Sequence, residues 1–154
     1  MPVEMRNSQR KVVVNIRQFK KNAELLLRAV GRPESSLSIL LTDDEGIAGL
    51  HEEWMGDSSP TDVLSFPQKG KGEPRIGKGI SAGRKQPPDV LGDVVISAET
   101  AVRRQPRVPV KEMECYLVHG LLHLIGHDHA KKTERLRMNR EASRLRALIQ
   151  KRGS

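Results

Sequence analysis

Of the five histidines in the chain, four fall within eleven positions, in the run His119-Gly-Leu-Leu-His123-Leu-Ile-Gly126-His127-Asp128-His129. His119 and His123 are spaced i and i+4, so on a helix they share one face, and their imidazoles can reach a single ion at about 2.0–2.1 Å each. Gly126 can take positive φ, end that helix and turn the chain back, which brings His129 to face the pair. Three neutral ligands leave a fourth place for water, the open arrangement of a catalytic zinc site, where the pKa of water falls to about 7. An isolated histidine is more often a hydrogen-bonded core residue, but clustering at this spacing favours metal binding.

The spacing H-x3-H-x2-G-x2-H also occurs in metzincin proteases, which carry a glutamate directly after the first histidine as general base. Gly120 stands in that place here, and a peptidase built this way lacks its proton acceptor. Other residues near the motif have bland and chemical readings side by side. Asp128 could orient an imidazole, act as acid or base, or cap the turn, and the first role suits it best. His127 is a candidate substrate contact or an exposed loop histidine, and Ser65, at the end of a strand before Pro67, could meet a substrate phosphate or be purely structural. Cys115 lies one turn before His119, where a fourth-ligand role is conceivable and a small buried core residue is the simpler reading.

The elements that must position these groups follow from periodicity. Val12 to Ile16 (VVVNI) reads as a first strand. In the helix expected over Gln18 to Val30, Phe19, Ala23, Leu26 and Val30 share a face, and Gly31 and Pro33 end it. Leu37 to Leu41 reads as a second strand, after which Thr42, Asp43 and Asp44 offer capping oxygens to a helix with Ile47, Leu50 and Trp54 as its stripe and Gly56 as its stop. Third and fourth strands are expected at Asp62 to Phe66 and Asp93 to Ser97. Between them, residues 68–90 are crowded with Gly, Pro and Lys, a composition that favours a flexible loop.

Ser97 can cap a short helix over Ala98 to Arg104, and Pro109 suits the first turn of a helix reaching about Ile125. The latter half of that helix, YLVHGLLHLI, is apolar almost all round and so reads as buried. A last helix over about Lys132 to Gln150 places Met138, Ala142, Leu145 and Ile149 on one stripe and arginines elsewhere.

A chain of 154 residues suits one domain, spanning 1–154, with a core built mainly from Leu, Val, Ile and Ala because aromatic residues are few. Its 27 Lys and Arg against 19 Asp and Glu give a formal charge of +8, which draws it toward polyanions such as RNA, DNA or an anionic membrane. A basic helix is as readily a solvated face as a track for an RNA backbone. No apolar run approaches the roughly 18–20 residues of a membrane span and no signal peptide is visible, so the expected location is the cytoplasm. The lone Cys115 excludes an intramolecular disulfide framework and fits a reducing compartment.

The run His119 to His129 resembles the signature H-G-x-L-H-L-x-G-[YH]-D-H of the YbeY family of bacterial rRNA maturation factors and endoribonucleases. Pro60-Thr-Asp-Val-Leu-Ser-Phe-Pro67 is similar to the family's second signature and Leu91-Gly-Asp-Val-Val-Ile-Ser97 to its third, and the likeness extends over roughly residues 38–145, Met138 and Glu141 included. The resemblance implies a single-domain α+β fold, with a small, mostly parallel four-stranded sheet, about five helices and a metal site in a cleft. It further implies one zinc ion on His119, His123 and His129, and single-strand RNA cleavage that trims the 3′ end of 16S rRNA and serves ribosome quality control. The implied partners are rRNA and the small ribosomal subunit, with ribosomal proteins or an assembly GTPase. Many members carry an arginine soon after the aromatic of the second helix, where this chain reads Trp54-Met55, and an asparagine in place of His51, so phosphate stabilisation here calls for another cation. Two further readings stand beside it: a non-enzymatic, zinc-containing rRNA-binding assembly factor, and a metallopeptidase, which the missing glutamate disfavours.

Overall fold

The computed structural model describes residues 3–57, 59, 61–67, 90–126 and 132–153. Within them the chain runs β1 (Val3–Asn7), α1 (Ile16–Ala29), β2 (Ser36–Thr42), α2 (Asp44–Met55), β3 (Val63–Pro67), β4 (Val90–Ser97), α3 (Ala98–Arg104), α4 (Pro109–Leu124) and α5 (Lys132–Gly153). The four strands form one sheet in the order β1-β2-β4-β3. β1 and β2, and β2 and β4, pair in parallel, while β3 joins the edge antiparallel to β4. This is the α+β, mostly parallel four-stranded arrangement expected, with five helices among the described residues.

The first strand is not where β-branched composition placed it. Residues 12–15 are an irregular segment and Ile16 already belongs to α1, because the Asn15 side chain accepts from Gln18 N at 3.1 Å and starts the helix there. Gln9 fixes the preceding turn by exchanging hydrogen bonds with the backbone of Val12, at 2.9 Å in each direction, and Val13 is left 96% exposed. The strand lies upstream in VEMRN, where Val3 is buried and Glu4 and Arg6 alternate with it on an edge that tolerates charge.

Elsewhere the boundaries fall close to expectation. Asp43 caps α2 by accepting from Gly46 N at 2.8 Å, Ser97 caps α3 by accepting from Thr100 N at 3.2 Å, and Pro109 opens α4. Gly31 and Gly56 both take positive φ where their helices end. Trp54 departs from its expected place in a buried stripe: Ile47 is fully buried, but Trp54 is 39% exposed and meets Phe66 only edge-on at 6.5 Å. Of the loop expected over 68–90, Val90 opens β4 and the rest lies outside the described residues.

One face of the sheet carries the main core. Val3, Leu37, Ile39, Leu41, Val94 and Ile96 meet Phe19 and Leu26 of α1, Leu117 and Leu121 of α4, and Met138, Ala142, Leu145 and Ile149 of α5. The opposite face holds a smaller cluster of Leu64, Phe66 and Val95 under Ile47 of α2. Among the described residues, no helix is long and apolar enough to cross a membrane.

Candidate functional site

The histidine pair stands where α4 crosses the β3 end of the sheet. Leu117, Val118, Gly120, Leu121 and Leu122 are buried on the sheet side, so the helix cannot rotate, and His119 and His123 are left half-buried beside β3. Their Nε2 atoms approach to 3.1 Å and their ring centroids to 4.6 Å. Two imidazole nitrogens holding one zinc ion at about 2.0–2.1 Å in tetrahedral geometry stand roughly 3.3 Å apart, so the donor spacing fits such an ion.

Helix α4 ends at Leu124 and Gly126 takes φ +103°, the turn its position anticipated. His127, Asp128 and His129 lie outside the described residues. Among the described residues no group of three or more His, Cys, Asp or Glu side chains could hold a metal ion. Cys115 is half-buried and not a closed core residue, and burial pushes its thiol pKa up, away from the thiolate that binds metal.

Gly120 is explained by packing. A Cβ there would sit 2.8 Å from Val94 Cγ1 and 3.0 Å from Ser65 Oγ, so helix and sheet approach too closely for any side chain. The glutamate that a metzincin-type peptidase needs at this position therefore has no room. Ser65 takes part in the same contact: its hydroxyl donates to Gly120 O at 3.1 Å, tying β3 to the turn of helix between the two histidines.

His119 and His123 open into a cleft of about 460 Å³ also lined by His51 and Met55 of α2 and by Thr61, Val63, Leu64, Ser65 and Pro67. The cleft thus wraps around the open edge of β3, with α4 on one side and α2 on the other. His51 and Met55, singled out in the sequence only as departures from a family pattern, are cleft residues, and their remoteness in sequence from the histidine run left no local signal. His51 Nδ1 meets Ser59 O at 2.9 Å and its Nε2 lies 4.0 Å from Asp57. Below the cleft, Asp62 accepts from its neighbour Val63 N at 2.8 Å and pairs with Arg104 at 2.7 Å, and Arg104 stacks over Tyr116 of α4. This brace holds β3 to α4 from the end opposite Pro67.

The sequence matches the family model Endoribonuclease YbeY over residues 4–150. The chain belongs to the YbeY family. The family protein "Endoribonuclease YbeY" of Geobacter sulfurreducens is 35% identical over 158 residues, covering 99% of both chains, and that of Syntrophus aciditrophicus is 37% identical over 134 residues, covering 84% of this chain and 76% of the relative. The solution structure of TM1509 from Thermotoga maritima superposes with a TM-score of 0.63 at 19% identity, covering 96% of this chain and 88% of that one, a likeness of fold.

Proposed function

We propose that this protein is a zinc-dependent endoribonuclease that cuts single-stranded RNA, with His119, His123 and His129 as the metal ligands. Membership of the YbeY family supports the reaction class, and the observation that carries the site is the pair of Nε2 atoms 3.1 Å apart at the mouth of the cleft. A zinc ion bound there would supply Lewis-acid polarisation of a phosphoryl oxygen and acidify a coordinated water. The protein's part is positioning. Ser65 and Gly120 lock α4 onto β3, Arg104 and Asp62 brace the far end, and Asp128 orients a ligand imidazole. His51 presents to the cleft an imidazole held by Ser59 O, and His127 is the further candidate for contact with substrate.

The biological setting follows the same reading: trimming of the 3′ end of 16S rRNA and quality control of the small ribosomal subunit, in the cytoplasm. Ribosomal proteins or an assembly GTPase would be its protein partners. The formal charge of +8 and the exposed Arg135, Arg137, Arg140 and Arg144 of α5 favour an anionic partner. Purified protein incubated with a labelled RNA of mixed single- and double-stranded segments tests the activity. Zinc-dependent cuts confined to single strands are expected, lost with a chelator and restored by zinc. Zinc-loaded protein that binds precursor RNA but cuts none, even in assembling particles, would mark it instead as a non-enzymatic assembly factor.

A further inference from the structure

The register of β3 determines which of its main-chain groups face the cleft. Ser97 N donates to Asp62 O at 3.0 Å, and Val63 pairs with Ile96, so Asp62, Leu64 and Phe66 turn their N–H and C=O toward β4. Val63, Ser65 and Pro67 therefore turn theirs outward, off the edge of the sheet and into the cleft. Pro67 corroborates the parity, since a proline is accepted in a strand where its missing N–H would face away from the neighbour. Of the three outward positions, Val63 N–H is already taken by Asp62 Oδ1 and Pro67 has none. Among the described residues Ser65 N–H is the outward donor that remains, on the edge between His119 and His123 on one side and His51 on the other, and its side chain is committed to Gly120 O. Among the described residues lining the cleft there is no lysine or arginine, so a phosphate there must find other donors.

We propose that Ser65 N–H donates to a phosphate oxygen of a single ribonucleotide strand lying along β3, while Ser65 C=O accepts from the 2′-hydroxyl beside that phosphate. The idea rests on the reading of the site as an RNA-cutting one, and it adds the atoms that seat the strand and a source of preference for ribose. The outward N–H and C=O of one residue offer a donor and an acceptor side by side, and a ribonucleotide presents their complements on neighbouring positions, whereas a deoxyribonucleotide lacks the hydroxyl donor. The hydroxyl of Ser65, the obvious candidate in the sequence, acts instead as the pin that keeps this edge against α4.

Zinc-loaded, 15N-labelled protein titrated with a short single-stranded oligoribonucleotide reads the contact directly. The Ser65 amide proton is expected to move downfield, further than those of Leu64 and Phe66, which point at β4. The matched oligodeoxynucleotide is expected to bind about tenfold more weakly, the scale of one lost hydrogen bond. Ser65→Pro deletes the N–H together with the hydroxyl pin, so it is compared with Ser65→Ala, which removes the pin alone, and is expected to cut about 10- to 100-fold more slowly than that variant. RNA that is bound and cut while the Ser65 amide stays unmoved, or a folded Ser65→Pro that cuts as fast as Ser65→Ala, overturns this seat and leaves the nuclease reading standing. If Ser65→Pro does not fold, the wild-type titration decides. Wild-type protein that neither binds nor cuts RNA overturns both, and an extended peptide that shifts the Ser65 amide where RNA does not replaces the occupant.

Discussion

One face of the sheet is covered by α1, α3, α4 and α5, in a continuous cluster that runs from Val3 to Ile149, whereas among the described residues α2 alone covers the other, through Ile47 with Leu50 beside it. The candidate site draws on both. Its histidines belong to the thickly packed side, where a shift of α4 disturbs many contacts at once, and His51 and Met55 come from the lightly held side. The proposed metal ligands His119 and His123 are thus placed where backbone motion is costly and the opposite wall where it is cheap, an arrangement that would suit a fixed ion and an adjustable substrate.

Each face also buries a carboxyl. On the thick face, burial raises the pKa of Glu114, against a hydrogen bond from Asn22 at 2.7 Å. On the thin face, Asp93 lies in a row with Ser38 and Glu4 of the neighbouring strands, and burial, with a contribution from the Glu4 charge, pushes its pKa up to about 6 despite a hydrogen bond with Ser38.

The contrast can be broken at its strongest point by Leu117→Ala. Leu117 is fully buried on the thick face, and the cavity should cost about 2–5 kcal/mol in denaturant unfolding and loosen zinc binding with it. Gly120→Ala acts on the seam between helix and sheet. Forcing a methyl against Val94 and Ser65 is expected to cost about 1–3 kcal/mol, and a stability equal to wild type would mean that α4 sits less tightly than the distances require.

Asp93→Asn sharpens the comparison through pH. The folded-state pKa of Asp93 is raised above its ordinary value, so its stabilising contribution is complete below about 4 and is lost as pH rises through about 6. Unfolding free energies of wild type and Asp93→Asn should therefore diverge between those limits, the variant gaining on the order of 2 kcal/mol relative to wild type by pH 7. A difference that stays constant with pH would remove the buried-carboxyl account. The smallest effect belongs to Trp54→Ala on the thin face: with the ring 39% exposed, a loss under about 1 kcal/mol is expected in thermal unfolding.

The parts of the molecule legible in the sequence are those whose local chemistry agrees with their packing. The i, i+4 histidines, Gly126 at positive φ, the Asp43 and Ser97 caps and the Met138–Ile149 stripe each carry a local signature that the fold keeps. β1 was hidden because an edge strand needs only alternate burial and a partner, which VEMRN finds in β2, while VVVNI has stronger strand character but stands before a helix cap. The role of Ser65 was hidden for a related reason. Which main-chain groups face outward depends on the register of β3 against β4, and register is a property of two strands.

The zinc K-edge absorption spectrum of metal-loaded wild type and His123→Ala tests the central claim most directly. A first shell of three imidazole nitrogens at about 2.0–2.1 Å is expected in wild type, falling to two in the variant together with loss of RNA cleavage. A zinc environment that is the same in both proteins would show that the ion is held elsewhere, and the histidine pair would then be no metal centre.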